Sequence, residues 1–260
     1  MNGKLPTEIL WSRSLVPSPP ITENTWDQST LNVPIYTITE VSRYLRMSRD
    51  TLSNWLRAKF CSAYTLQTGN KYRPPLIQRP IPDLPQLSFI NLIEAHILKV
   101  IQESQKIPLY QVRIALDHLT EIFETSHPLV HHCFRTQGAA RFVDFIALKQ
   151  KDRKKMLEIL DQLLTRIEWD QNKAIVRFFP FVGNNNLWDD SQKIITIAPQ
   201  VSFGKPTITG TGIPTEVIFD FYQAGDSIET IATEYNCSPD IIKGVIQFEN
   251  RQYKNHRASA

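Results

Sequence analysis

Apolar side chains recur at helical spacing over most of the chain and alternate only in short runs. Ile38, Val41 and Leu45 step by three and four residues. Thr37 and Glu40 have the spacing of a capping box, which satisfies free amides at a helix start. Ser48 is placed to cap a second helix carrying Leu52, Trp55 and Leu56. Two short helices joined by a three- or four-residue turn form a helix-turn-helix unit. Residues 60–73, with Gly69-Asn70 as the turn, add a hairpin in the position of a wing. Ile90, Ile93, Ile97 and Ile101 predict an amphipathic helix over 88–104 with Ser88 as its cap. Pro108 suits the first turn of the next helix, 108–124, with Val112, Ala115, Leu119 and Ile122 on one face. A strand at 141–148, a helix at 151–166 and a hairpin over 166–181 turning at 170–173 follow. Short strands at 194–197 and 206–209 precede helices at 214–224, 227–235 and 239–252.

The pattern is written twice. Residues 228–246 placed under 38–56, an offset of 190, match Ile228 to Ile38, Ile231 to Val41, Ser238 to Ser48 and Ile242 to Leu52. The small residue needed where the helices cross is Ser42 in one copy and Ala232 in the other. Charge separates the copies. Residues 36–79 hold eight cations against Glu40 and Asp50, a net +6, whereas 192–253 hold four cations against seven carboxylates, a net −3. A phosphate backbone attracts the first and repels the second. The first copy is therefore the candidate for double-stranded DNA, and the second for a polypeptide. With Leu52, Trp55 and Leu56 inward, Arg49, Ser53, Asn54 and Arg57 face out. Arginine reads guanine and asparagine reads adenine through paired hydrogen bonds in the major groove. Arg43, Arg46, Lys71 and Arg73 are expected on phosphates.

Composition narrows the classes. Apolar residues make up 42% and charged residues 21%, which excludes a fully disordered chain. No run approaches the roughly 18 apolar residues of a membrane span, and the first residues lack the apolar run of a secretory signal. Cys61, Cys133 and Cys237 are far apart with no CxxC pair, so a reducing, cytoplasmic setting is expected. His127, His131, His132 and Cys133 invite a metal reading, but no second ligand pair is evident, so neither a metal nor a cofactor is expected. The glycines of 204–214 lack the Gly-Lys-Ser/Thr ending of a phosphate loop and fit tight turns. No catalytic motif or carboxylate pair stands out, and an enzyme is not expected.

Val201–Ile213, with the core Gly204-Lys205-Pro206-x-Ile208-x-Gly210-Thr211-x-Ile213-Pro214, closely resembles the opening signature of a bacterial family of antitoxin-like small domains long known only as a domain of unknown function. Val217, Ile218 and Phe221, Ala224-Gly225, Ser227-Ile228-Glu229 and Tyr235 continue the match. Tyr36–Arg57 resembles the MerR-type helix-turn-helix, and Leu92–Leu116, with Ile107-Pro108-Leu109 and Val112-Arg113, resembles the helix pair that follows it. His127-Pro128-Leu129, Arg166-Ile167-Glu168-Trp169 and Phe179-Pro180 match the long form of the family, so the resemblance covers roughly 36–250. Lys205 and Gly212 stand where the family commonly has arginine, and Lys205 keeps the charge but not the planar fork.

The resemblance implies a VapB-type antitoxin of a type II toxin–antitoxin pair, binding a PIN-like ribonuclease and repressing its own operon as a homodimer. The alternative is a stand-alone MerR-like transcription regulator. The expected fold is mostly α with small β elements: an extended arm (1–34), a MerR-like winged helix-turn-helix head with the following helix pair (35–125), a middle α/β connector (126–190), a second helix-turn-helix-like domain (191–253) and a tail (254–260). Trp11 and Trp26 of the arm are expected on the body. Partner contacts are expected at Lys205, Ile208 and Ile213, and at Arg251, which with Lys254 and Arg257 could cover the acidic metal site of a nuclease.

Overall fold

The computed structural model describes residues 31–60, 72–105, 107–146, 150–182 and 193–257, with side chains described at all of these except 59, 60, 105, 150 and 251–257. The arm before residue 31, the Gly69-Asn70 turn, Lys71 and the side chains of Arg251, Lys254 and Arg257 lie outside these residues.

Helices dominate, linked by two-stranded antiparallel ribbons, and the fold is mostly α with small β elements. Strand β1 (Tyr36–Thr37) leads into α1 (Ile38–Leu45) and α2 (Arg49–Trp55). Strands β2 (Lys59–Phe60) and β3 (Tyr72–Arg73) pair as a ribbon in the wing position, with Lys59 opposite Arg73. Strand β4 (Gln86–Leu87) returns to pair with β1, closing the head. Helices α3 (Phe89–Gln105) and α4 (Leu109–Phe123) follow. The 3-10 turn Pro128–Val130 and the π-helical turn Phe134–Gly138 then lead into α5 (Ala139–Phe145) and α6 (Gln150–Leu164). The ribbon β5 (Ile167–Trp169) and β6 (Ile175–Phe178) turns through Lys173, whose φ is 64°. Ribbon β7 (Ile195–Thr196) and β8 (Thr207–Ile208) then opens α7 (Thr215–Ala224), α8 (Ile228–Glu234) and α9 (Pro239–Arg257).

Two expectations give way. Residues 141–148 were expected as a strand, yet 139–145 form α5. Phe142 and Val143 of α5 and Ile146 just after it are buried, a helical set that a short apolar run does not distinguish from a strand. Ile122 was expected on the inner face of α4, but that face is Val112, Ala115, Leu116 and Leu119, with Ile122 exposed.

The apolar residues gather into two cores. The larger runs from Leu31 through the head and α3–α6 to Val182, and takes in Ile195, Ile197 and Phe248 from the C-terminal segment. The smaller holds Ile208, Ile218, Phe219, Ile231, Ala232, Ile242, Val245 and Ile246. A polar trio of Asn91, Glu94 and His127 sits beside the larger core. Asn91 Nδ2 donates to the carbonyl of Gln78 and to Glu94 Oε2, while Glu94 Oε1 lies 3.1 Å from His127 Nδ1. Burial pushes the His127 pKa down, but the hydrogen bond and charge of Glu94 outweigh it, and the net shift is upward. A raised histidine contributes stability that is complete below its unfolded value of about 6.5 and fades as pH rises through the folded value. Urea midpoints of the native chain should therefore fall between pH 6 and pH 8.5 more steeply than those of His127→Gln. Parallel curves would contradict the pairing.

Candidate nucleic-acid interface

Local capping builds the candidate recognition element. Thr37 accepts from the Glu40 amide at 3.1 Å and Glu40 Oε2 accepts from the Thr37 amide at 2.8 Å, which is the full capping box. Ser48 Oγ accepts from the Thr51 amide at 3.0 Å and starts α2. Between the helices Arg46 takes φ 53°, and the Met47 amide reaches back to the Ser42 carbonyl at 3.0 Å. The second copy repeats this geometry at the same offset of 190. Ser227 accepts from the Thr230 amide, Asn236 takes φ 50°, and the Cys237 amide reaches the Ala232 carbonyl at 2.9 Å. The echo in the sequence is thus an echo in backbone conformation.

On α2, Leu52, Trp55 and Leu56 are buried, which fixes its rotation. Arg49, Asn54 and Arg57 are exposed and Ser53 is half-buried. Neither Arg49 nor Arg57 enters an ion pair among the described residues. Asp50, next to Arg49 in sequence, is exposed as well.

The other cations of 36–79 whose side chains are described are placed otherwise. Arg46 Nη2 donates to the Val182 carbonyl at 2.7 Å, and its guanidinium stands 5.7 Å from the centre of the Phe248 ring. Arg43, half-buried, bears electrostatically on Glu249 of α9, a carboxylate raised by burial and lowered in part by the Thr215 hydroxyl (2.6 Å) and by Arg43. Arg43 and Arg46, expected on phosphates, therefore sit where the end of α1 meets α9 and Val182 of the middle region. Arg73 pairs with Asp117 of α4 at 3.2 Å, although the expectation placed it on DNA. Arg79 donates to the Leu84 carbonyl. Tyr36 Oη completes the junction by donating to the Gly204 carbonyl at 3.1 Å. Gly204 has φ 76°, and a Cβ there would lie 2.4 Å from Tyr36 Oη, so the close approach requires glycine.

The expected partner residues divide likewise. Ile208 is buried opposite Ile195 in the β7–β8 ribbon and belongs to the smaller core, so its side chain is not offered to a partner. Ile213 packs against that core. Lys205 is half exposed and paired with Glu216 on α7. The positive φ of Gly204, Gly210 and Gly212 places tight turns on either side of β8. Tyr36, Val182, Phe248 and Glu249, which join the head to the middle and C-terminal parts of the chain, carry no local sequence signal, since Tyr36 and Gly204 are 168 positions apart and Arg46 and Val182 are 136 apart.

His131, His132 and Cys133 bring their side-chain donor atoms within 4.8 Å of one another, whereas His127 is held by Glu94 and does not join them.

Comparison with known proteins follows the same division of the chain. Residues 34–116 match a family model described as "Putative DNA-binding HTH domain". Residues 195–248 match one described as "Protein of unknown function (DUF433)". The protein named "Putative antitoxin VapB45" of Mycobacterium tuberculosis H37Rv is 24% identical over 238 residues, covering 83% of this chain and 93% of that protein. The uncharacterized protein Rv2308 of the same strain is 20% identical over 235 residues, covering 86% of this chain and 93% of that protein. The crystal structure of Rv2018 from Mycobacterium tuberculosis superposes with a TM-score of 0.58 at 21% identity, over 83% of this chain and 99% of that one, and so shares the fold. The two matches thus fall on the head and on the C-terminal segment, the regions that contain the two copies of the repeated turn geometry.

Proposed function

We propose that this protein is the antitoxin of a type II toxin–antitoxin pair, which binds its operator through α2 and blocks a PIN-like ribonuclease through the C-terminal unit. The observation that carries the reading is the pairing, in one chain, of two helix-turn-helix units with equivalent turns and opposite charge, along the span that resembles "Putative antitoxin VapB45". The outward Arg49, Asn54 and Arg57 supply donors for base edges and phosphates. The acidic copy repels a polyanion and leaves its surface to a polypeptide. Inhibition then requires no chemistry from this chain, only that the nuclease's metal site be covered, with the basic residues at 251, 254 and 257 as proposed donors. Paired half-sites would call for a homodimer.

Co-expression with the product of the adjacent gene tests the partner half. The expected result is a stable complex, relief of that product's growth inhibition, and retained binding to the DNA upstream of the operon. Upstream DNA binding without complex or relief would favour a stand-alone regulator and overturn the antitoxin reading.

A further inference from the structure

Consecutive side chains on a regular element point apart, by about 100° on a helix and 180° on a strand. His131, His132 and Cys133 escape that rule because the backbone changes state beneath them. His131 is extended (φ −72°, ψ 138°) at the end of the 3-10 turn, and Cys133 is helical (φ −66°, ψ −20°) at the start of the π-helical turn. The three donor sets fold onto one spot, with all ligand atoms within 4.8 Å and Cys133 Sγ 3.3 Å from His132 Nε2.

The surroundings hold this arrangement in place. The His131 ring stacks on Phe123 at the end of α4, with centroids 5.2 Å apart, and meets His132 at 4.4 Å. Phe123 occupies its position because residue 138 is glycine: a Cβ there would lie 2.9 Å from Phe123 Cζ. All three donors are half-buried, open to an ion yet partly shielded from solvent. π-helical turns are rare and are frequently found at functional sites.

We propose that His131, His132 and Cys133 form a binding site for a zinc-type transition-metal ion. Zn–N bonds of about 2.0–2.1 Å and Zn–S bonds of about 2.3 Å place neighbouring tetrahedral donors roughly 3.3–3.6 Å apart. For a nitrogen–sulfur pair that distance is about 3.6 Å, and the Sγ–Nε2 separation of 3.3 Å lies within a few tenths of an ångström of it. Two imidazoles and a thiolate select a borderline or soft ion over magnesium or calcium, whose ligands are oxygens. Binding releases the Cys133 proton to solvent and forms the metal–thiolate bond, leaving a fourth position open to water or to a group from a partner. The site would clamp the turn at 128–133 to the end of α4, on the helical body between the two helix-turn-helix units.

Cobalt(II) titration of the full-length, tag-free, reduced protein tests this. The expected result is one equivalent bound with a thiolate-to-cobalt charge-transfer band and tetrahedral visible bands, all displaced by zinc. Cys133→Ser should abolish the charge-transfer band, and His132→Gln should weaken zinc binding at least tenfold, each with an unchanged circular dichroism spectrum. Cys237→Ser, which alters a thiol bonded to the Tyr235 carbonyl, should keep the band. No charge-transfer band in the native protein, or a band that survives Cys133→Ser, would overturn the proposal.

Discussion

Replacing Arg49 and Arg57 together with alanine is expected to weaken binding to the upstream DNA by about thirtyfold or more while leaving the thermal midpoint unchanged. Good base contacts contribute roughly 1–3 kcal/mol each, so two lost contacts give about 2–6 kcal/mol. Leu52, Trp55 and Leu56 hold α2 and its C-cap against the core, while Arg49 stands exposed on α2 and Arg57 exposed just beyond its end. Their removal takes no apolar contact from that core, which is why the fold should not register the change. Gel-shift titration at one fixed salt concentration, paired with calorimetry, measures both quantities. A drop in affinity accompanied by a matching drop in stability would assign these arginines a structural role instead.

Phe248→Ala should give the largest loss of stability. Phe248 is fully buried and, although it belongs to α9, its contacts are with the larger core that includes the head. Truncating a buried phenylalanine costs about 3–5 kcal/mol, from lost transfer energy and the cavity left behind. Here it would also remove the ring beneath the Arg46 guanidinium. The variant should unfold at markedly lower urea, and the head should become less firmly tied to the C-terminal unit. A loss under about 1 kcal/mol would show that α9 contributes little to that core.

These predictions separate what local chemistry encodes from what folding over long separations adds. The capping box at Thr37 and Glu40, the caps at Ser48 and Ser227 and the offset of 190 are legible because each depends on residues a few positions apart. The β5–β6 hairpin is legible for the same reason, with the Ala174 amide donating to Asp170 Oδ1 at its turn. Residues 139–145 were not, because a short apolar run fits a strand or a helix, and the packing of Phe134 against Phe142 goes with the helix.

Candidate-site residues show a similar divide. The outward face of α2 follows from periodicity alone. The placement of Arg43 and Arg46 does not, since a basic face on α1 reads alike whether it meets phosphate or Val182, Phe248 and Glu249. Ile208 carried a family signature but no sign that its side chain is spent on the β7–β8 core. The convergence of His131, His132 and Cys133 depends on a change of backbone state that residue spacing does not encode.

The central claim is that Arg49 and Arg57, on and just beyond α2, meet DNA, while Arg43 and Arg46, on and just beyond α1, hold the head to Val182 and to α9. The most direct measurement is the salt dependence of binding to the upstream DNA for four single variants, Arg43→Ala, Arg46→Ala, Arg49→Ala and Arg57→Ala. Each cation lost from a DNA contact flattens the slope of log K against log salt by about one. The account predicts that flattening for Arg49→Ala and Arg57→Ala, and a native slope with a lowered thermal midpoint for Arg43→Ala and Arg46→Ala. Equal flattening by all four, or by the α1 pair alone, would contradict it.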